Sequence, residues 1–191
     1  FATSEIPSVR AFVTLRDSAQ RVRAPKAFLG VGNPLFEGRP FGAADGRAPR
    51  LSGLEALAGQ CRDAGPVPPE YLRALAPLPE TANEVRTVAR AVDAGAGAVI
   101  LGADASEFNL RRQALEHYRI LYFATHGLLP GELSCQSEPA LALTPPSVAA
   151  ATRDEDGLLD ASEIAGLRLN ADLVVLSACN TALANDRFGG E

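Results

Sequence analysis

Short, uninterrupted apolar segments alternate along this chain with amphipathic segments, and this alternation limits the fold more than any other feature. Apolar strands are predicted at residues 26–31, 98–101, 119–125 and 172–178. Strands that read as continuous apolar runs are usually covered on both faces. Because amphipathic helices are predicted between them, the pattern indicates an α/β fold with a mostly parallel sheet and helices on both sides.

The predicted helices carry recognisable start signals. Thr81 and Glu84 have the spacing of a capping box, and apolar residues follow them at helical intervals. Ser106 is predicted to cap a helix that runs to Leu115, and Ser162 to cap a short one. The remaining predicted elements are helices at 8–19 and 51–60, a strand at 139–144 and a solvated acidic turn at 154–157.

Length and composition fit a single globular domain over residues 1–191. Of the 191 residues, 47% are hydrophobic and 21% are charged, which is ordinary for a folded domain. Residues 37–77 are rich in Gly, Pro and Ala and are predicted to be a loop or an insertion. The chain has no Met and starts at Phe1, so we expect a domain truncated at both ends within a longer protein.

Several function classes are disfavoured by charge and motif content. The net charge is −5 without a dense basic patch, so nucleic acid is not an expected partner, and the apolar runs are too short to span a membrane. No secretory signal and no CxxC pair is present, which favours a cytoplasmic protein without zinc. Gly30 and Gly32 lack the third glycine of a dinucleotide fingerprint, and no Walker A sequence occurs, so no metal or organic cofactor is expected.

Two chemically suggestive residues each follow a predicted strand. His126 comes directly after the strand at 119–125, and Cys179 directly after the strand at 172–178. Ligands of open α/β sheets bind beyond the carboxyl ends of the strands. An imidazole there could activate the thiol, because the thiolate is the nucleophilic form of cysteine. The Gly127 amide, together with that of Cys179, could face a developing oxyanion.

Structural roles compete with this interpretation. A lone cysteine at a strand end is more often a small core residue than a nucleophile, and a lone histidine before glycine is more often a turn residue. Cys61 and Cys135 are predicted to be structural or loop thiols, and His117 precedes its strand at the wrong edge. Asp156, Asp160 and Ser177 could line a substrate pocket, although a solvated turn is favoured for Asp156 and a strand-end role for Ser177.

The segments LYFATHG (121–127), DGLLDASEIAGLRLNADLVVLSACNTAL (156–183) and GGE (189–191) closely resemble the CHAT domain. This family is caspase-like, is related to separase and is often attached to TPR repeats in bacteria. The resemblance implies a caspase-haemoglobinase-like three-layer α/β/α sandwich and a catalytic dyad at His126 and Cys179. Their separation of 53 residues agrees with the spacing of about 50 in caspases.

Three functions are compatible with these observations. The first is a cysteine endopeptidase that cleaves a protein or peptide substrate through an acyl-enzyme, with TPR repeats or another regulatory region expected in the same polypeptide. The second is a catalytically silent caspase-like binding or scaffold module in a larger bacterial signalling protein. The third is a flavodoxin-like ligand-binding domain, which would use the same strand ends without needing His126 and Cys179 to meet.

Overall fold

The computed structural model describes residues 23–38, 67–95, 97–133 and 136–178. The predicted helices at 8–19 and 51–60 lie outside these ranges. So do Cys61, Cys135 and Cys179. The described helices are α1 (Pro69–Arg73), α2 (Glu80–Ala91), α3 (Glu107–Arg111) and α4 (Ala161–Gly166), and the strands are β1 (Lys26–Pro34), β2 (Val99–Gly102), β3 (Tyr118–Ala124), β4 (Gly127–Leu128), β5 (Ala140–Ala142), β6 (Leu158–Asp160) and β7 (Leu173–Leu176).

The central sheet has four strands in the order β2-β1-β3-β7, and every neighbouring pair is parallel. Its strands correspond to the four apolar runs predicted from the sequence. Because all four strands run in the same direction, their carboxyl ends lie at one common edge of the sheet. The α/β fold with a mostly parallel sheet is therefore confirmed.

Helix α2 covers one face of this sheet. Val85 is fully buried there and packs in a cluster with Phe28, Ala89 and Ala124. A Cβ atom built on Gly30 would lie 2.3 Å from Cγ1 of Val85, and one on Gly32 would lie 2.8 Å from its Cγ2. These two glycines therefore allow the helix to approach the strand closely.

The opposite face is covered by α3 and by a second, smaller sheet. Leu110 from α3 joins Leu121 and Phe123 from β3 in one buried cluster, and Leu141 and Leu159 complete it from β5 and β6. The small sheet is antiparallel, in the order β4-β5-β6. The strand predicted at 139–144 thus exists as β5, but it pairs in this second sheet.

The start signals of two helices differ from the predicted ones. No side chain caps α2, so the capping box predicted for Thr81 and Glu84 is wrong. The Thr81 hydroxyl instead donates to the Leu78 carbonyl at 2.7 Å and accepts from the Asn33 amide at 2.8 Å. Thr81 is the second residue of the helix rather than its cap. At that position its hydroxyl bonds to the preceding Leu78 carbonyl instead of to a free amide of the first turn.

Helix α4 is capped by Asp160, so the predicted cap at Ser162 is also wrong. The Asp160 carboxylate accepts from the Glu163 amide at 2.8 Å, and the Glu163 carboxylate accepts from the Asp160 amide at 3.0 Å. This is a complete capping box. The predicted cap at Ser106 is confirmed, because its hydroxyl accepts from the Asn109 amide at 3.3 Å. That helix ends at Arg111, short of the predicted Leu115.

Candidate active site

His126 lies just beyond the carboxyl end of β3, as the sequence predicts. Its side chain is buried, with 6% of the residue exposed, and its ring is tilted against that of Phe36 with centroids 5.5 Å apart. Nε2 lies 2.8 Å from the carbonyl oxygen of Ala76. A carbonyl only accepts, so this contact assigns the proton of the neutral imidazole to Nε2 and leaves Nδ1 as the basic nitrogen.

Ala76 was not identified from the sequence, because a backbone carbonyl has no side-chain signature. It lies three residues after α1, within the stretch at 37–77 that was predicted to be a loop or an insertion. Two backbone hydrogen bonds hold the chain at the end of α1. The Glu37 amide donates to the Arg73 carbonyl at 2.7 Å, and the Gly38 amide donates to the Leu75 carbonyl at 3.0 Å.

Cys179 lies one residue beyond the last described position before the chain end, Ala178. The strand that precedes it, β7, is the parallel neighbour of β3, and Phe123 pairs with Leu176. The Ser177 amide continues the ladder by donating to the Phe123 carbonyl at 2.8 Å. The chain segments that lead to His126 and Cys179 therefore leave the sheet at the same edge, from neighbouring strands.

Gly127 begins β4 and pairs with Leu141 of β5. The Ala142 amide donates to the His126 carbonyl at 2.9 Å, which makes Gly127 and Leu141 a pair without mutual hydrogen bonds. In such a pair the amide hydrogen points away from the partner strand. The Gly127 amide is therefore not used by the β4–β5 ladder, as an oxyanion donor requires.

The Tyr122 side chain of β3 bonds to α2 and lies near Ser177, which follows β7. The Tyr122 hydroxyl donates to the Glu84 carboxylate at 2.6 Å, and the nearby Ser177 side chain acts to lower the pKa of the same hydroxyl. Burial and the Glu84 carboxylate together raise the pKa of Tyr122, so its hydroxyl stays protonated as a donor. Tyr122 thus connects β3 to the helix that covers the sheet, close to the end of β7.

Asp156 is buried, so the prediction of a solvated acidic turn is wrong at this position, although Asp154 is exposed. Its carboxylate accepts from the amides of Val67 at 3.0 Å and Leu158 at 2.9 Å. Burial raises the pKa of Asp156 against the effect of those hydrogen bonds. The carboxylate holds backbone groups rather than facing an open pocket, and Asp160 is engaged in the cap of α4.

Glu107 is a buried acid that sequence reasoning missed. It is 2% exposed, and its carboxylate accepts from the Gly157 amide at 2.6 Å. Burial raises its pKa to about 8, with the carboxylates of Glu163 and Asp156 adding to the shift and Arg111 opposing it. A glutamate in the first turn of a helix is usually exposed and suits the helix dipole, so no pattern in the sequence indicates this burial.

The other titratable candidates do not gather at this edge. His117 ends a short 3₁₀ helix directly before β3, at the amino end of the strand, whereas His126 lies beyond its carboxyl end. Within the described ranges, no cluster of three or more His, Cys, Asp or Glu side chains could hold a metal ion. None of the described helices is long and apolar enough to cross a membrane.

Comparison with known families agrees with the geometry. The CHAT domain matches residues 1–190, which is essentially the whole chain. Comparisons with curated proteins and with solved structures found no match. A parallel sheet that carries an ATHG segment on one strand and the start of an SACNT segment on its neighbour is consistent with this caspase-like family. The chain therefore belongs to the CHAT domain family.

Proposed function

We propose that this CHAT domain is a cysteine endopeptidase in which His126 and Cys179 form the catalytic dyad. The family is caspase-like, which fixes the broad class. The observation that carries the proposal is the parallel pairing of β3 with β7. Because the last strand pair is Phe123 with Leu176, the imidazole and the thiol belong to segments that start side by side.

The environment of His126 supports a role as the base. Its Nε2 is held by the Ala76 carbonyl, so in the neutral ring Nδ1 carries the lone pair, and in our proposal it accepts the proton of the thiol. The Cys179 sulfur then attacks the scissile carbonyl carbon, and a tetrahedral intermediate forms. The protonated imidazole gives its proton to the leaving amine as the C–N bond breaks, which yields an acyl-enzyme.

The backbone around Gly127 supports stabilisation of the intermediate. Its amide is not used by the ladder with β5, and in our proposal it binds the oxyanion together with the Cys179 amide. Water, deprotonated by the same imidazole, then hydrolyses the thioester and releases the acid product. The substrate we propose is a protein or peptide, and this sequence of steps needs no metal and no organic cofactor.

A peptide library offers a direct test with the full chain. We expect cleavage by the wild type and none by Cys179→Ala or His126→Ala, with a matched control in Cys61→Ser and Cys135→Ser, which should cleave normally. A thiol-directed probe should label Cys179 faster than the other two cysteines. If no library member is cleaved and the probe does not prefer Cys179, the silent scaffold function takes the place of the peptidase.

A further inference from the structure

The contact between His126 and Ala76 depends on a segment that is not part of the central sheet. Residues 67–76, which we call the strap, contain α1 and end at the carbonyl that receives the imidazole Nε2–H. Tyr71 and Leu72 are buried in a cluster with Leu128, Ala140 and Leu158, so the strap packs against the small sheet.

One end of the strap is tied by a buried carboxylate. The Val67 amide donates to Asp156 Oδ2 at 3.0 Å, and the other oxygen of Asp156 accepts from Leu158 at the start of β6. A buried amide that loses its acceptor costs free energy. This hydrogen bond therefore stabilises the strap in the position in which Val67 reaches Asp156. Asp156 therefore couples the first residue of the strap to the small sheet.

The other end is tied by an arginine. The Arg73 guanidinium donates to the Pro146 carbonyl, in the loop that precedes β6. Arg73 is only partly buried, and its own carbonyl accepts from the Glu37 amide at 2.7 Å. Ala76 follows three residues later, so the place of its carbonyl depends on where Arg73 holds the end of α1.

We propose that Arg73 and Asp156 are positioning residues for His126, which act through the strap to hold the Ala76 carbonyl against Nε2. The inference rests on the proposed function, because it assigns these residues to the orientation of the proposed base. Neither residue touches the reacting atoms. Their effect is to fix which ring nitrogen of the neutral imidazole carries the proton, and therefore which nitrogen has the lone pair that acts as the base.

The chain contains two histidines, which makes the tautomer measurable directly. In the ¹⁵N-labelled full chain, long-range ¹H–¹⁵N correlation spectra should show neutral His126 as the Nε2–H tautomer. In Arg73→Ala we expect a tautomer mixture, while Arg73→Lys, which can still donate to the Pro146 carbonyl, should restore most of the wild-type signal. Exposed His117 is the internal reference, and Arg153→Ala, an exposed arginine on the neighbouring loop, is the matched control.

Kinetics give the second readout. A misplaced base lowers the rate of chemistry more than substrate binding, so Arg73→Ala should lower kcat about tenfold and change KM less than twofold. Asp156→Ala should do the same, with Asp154→Ala as its exposed control. Because Asp156→Ala removes a buried tie and could unfold the chain, Arg73→Ala is the decisive variant, and its thermal unfolding is recorded alongside.

The outcomes separate this inference from the proposed function. An unchanged His126 tautomer together with an unchanged kcat in folded Arg73→Ala would overturn the positioning role. A tautomer shift in Arg73→Ala but not in Arg153→Ala supports it, even if the wild type cleaves no peptide; in that case only the peptidase function fails. Equal shifts in Arg73→Ala and Arg153→Ala would also overturn it, since the effect would then be one of general charge.

Discussion

A Cβ atom built on Gly127 would lie 3.2 Å from the Cβ of Ala178, so the segment after β3 and the segment after β7 touch through a glycine. The two residues directly follow His126 and directly precede Cys179 in the chain. A real Cβ atom at residue 127 would therefore be closer to Ala178 than most Cβ contacts in proteins allow. The narrow spacing between the two candidate segments therefore depends on the absence of one methyl group.

Gly127→Ala should push these segments apart by a few tenths of an ångström. We expect kcat for peptide cleavage to fall by about tenfold to a hundredfold, because small displacements of reacting groups are costly. Stability should change little, since the site lies at the rim of the sheet. The double variant with Ala178→Gly removes the opposing methyl group and should recover part of the loss; no recovery would contradict the proposed cause.

Tyr122→Phe should weaken the interactions that position the end of β7. It removes the donor to Glu84 and the hydroxyl that Ser177 contacts, two residues before Cys179. We expect a loss of about 1 kcal/mol in the free energy of unfolding and a severalfold lower kcat. Tyr118→Phe is the matched control at the other end of β3, where the hydroxyl contacts Lys26 and Gln113. It should leave kcat unchanged, and an equal loss in both variants would argue against a local effect.

Glu107 should make the protein less stable as pH rises. Its pKa is raised by burial from 4.5 to about 8, so the folded protein keeps a proton that the unfolded chain releases. Stability is therefore fully present below pH 4.5 and is lost as pH rises through about 8, on the order of 5 kcal/mol in all. Thermal unfolding of the wild type between pH 5 and pH 9 measures this slope.

Glu107→Gln should flatten that dependence. The amide oxygen can still accept from the Gly157 amide, and nothing remains to ionise at this position. A weaker slope should persist, because burial also raises the pKa values of Asp156 and Glu163. Glu116→Gln, at an exposed position, should keep the wild-type slope. A Glu107→Gln variant with the full wild-type slope would show that another group is responsible.

Gly32→Ala should destabilise the contact between β1 and α2. The new Cβ would lie 2.8 Å from Val85 Cγ2 and 3.2 Å from the Thr81 carbonyl oxygen, and overpacking of this kind costs about 1–3 kcal/mol. Val85→Ala opens space at the same place, so the double variant should lose less stability than the two single variants added together. Gly166→Ala is the control, because no atom lies within 4 Å of its added Cβ.

The central sheet could be predicted because its strands read as short, continuous apolar runs, which are typical of buried parallel strands. Strands at residues 26–31 and 119–125 were predicted within three residues of β1 and β3. The small sheet could not be predicted. Its strands have two or three residues each, too short to show a period of their own, and β5 reads as one more buried strand.

The candidate site was only partly readable from the sequence. His126 and Gly127 stand out because a strand leads directly to them and a family motif contains them. Ala76 could not be found, because its contribution is a carbonyl that any residue carries. Asp156 belongs to an acidic cluster in a turn, which predicts exposure to solvent. Its burial depends on the Val67 amide, which is distant in the sequence and cannot be identified from it.

The parallel pairing of β3 with β7 has a consequence for how such domains can diverge. Everything between the two strands leaves the sheet after one and returns to it at the other, so its length does not set the register of their pairing. An insertion at the exposed residues 152–154 would lengthen the excursion without moving either strand end. A single-residue deletion inside β7, by contrast, would turn its side chains to the other face. We expect relatives to vary widely in the first region and hardly at all in the second.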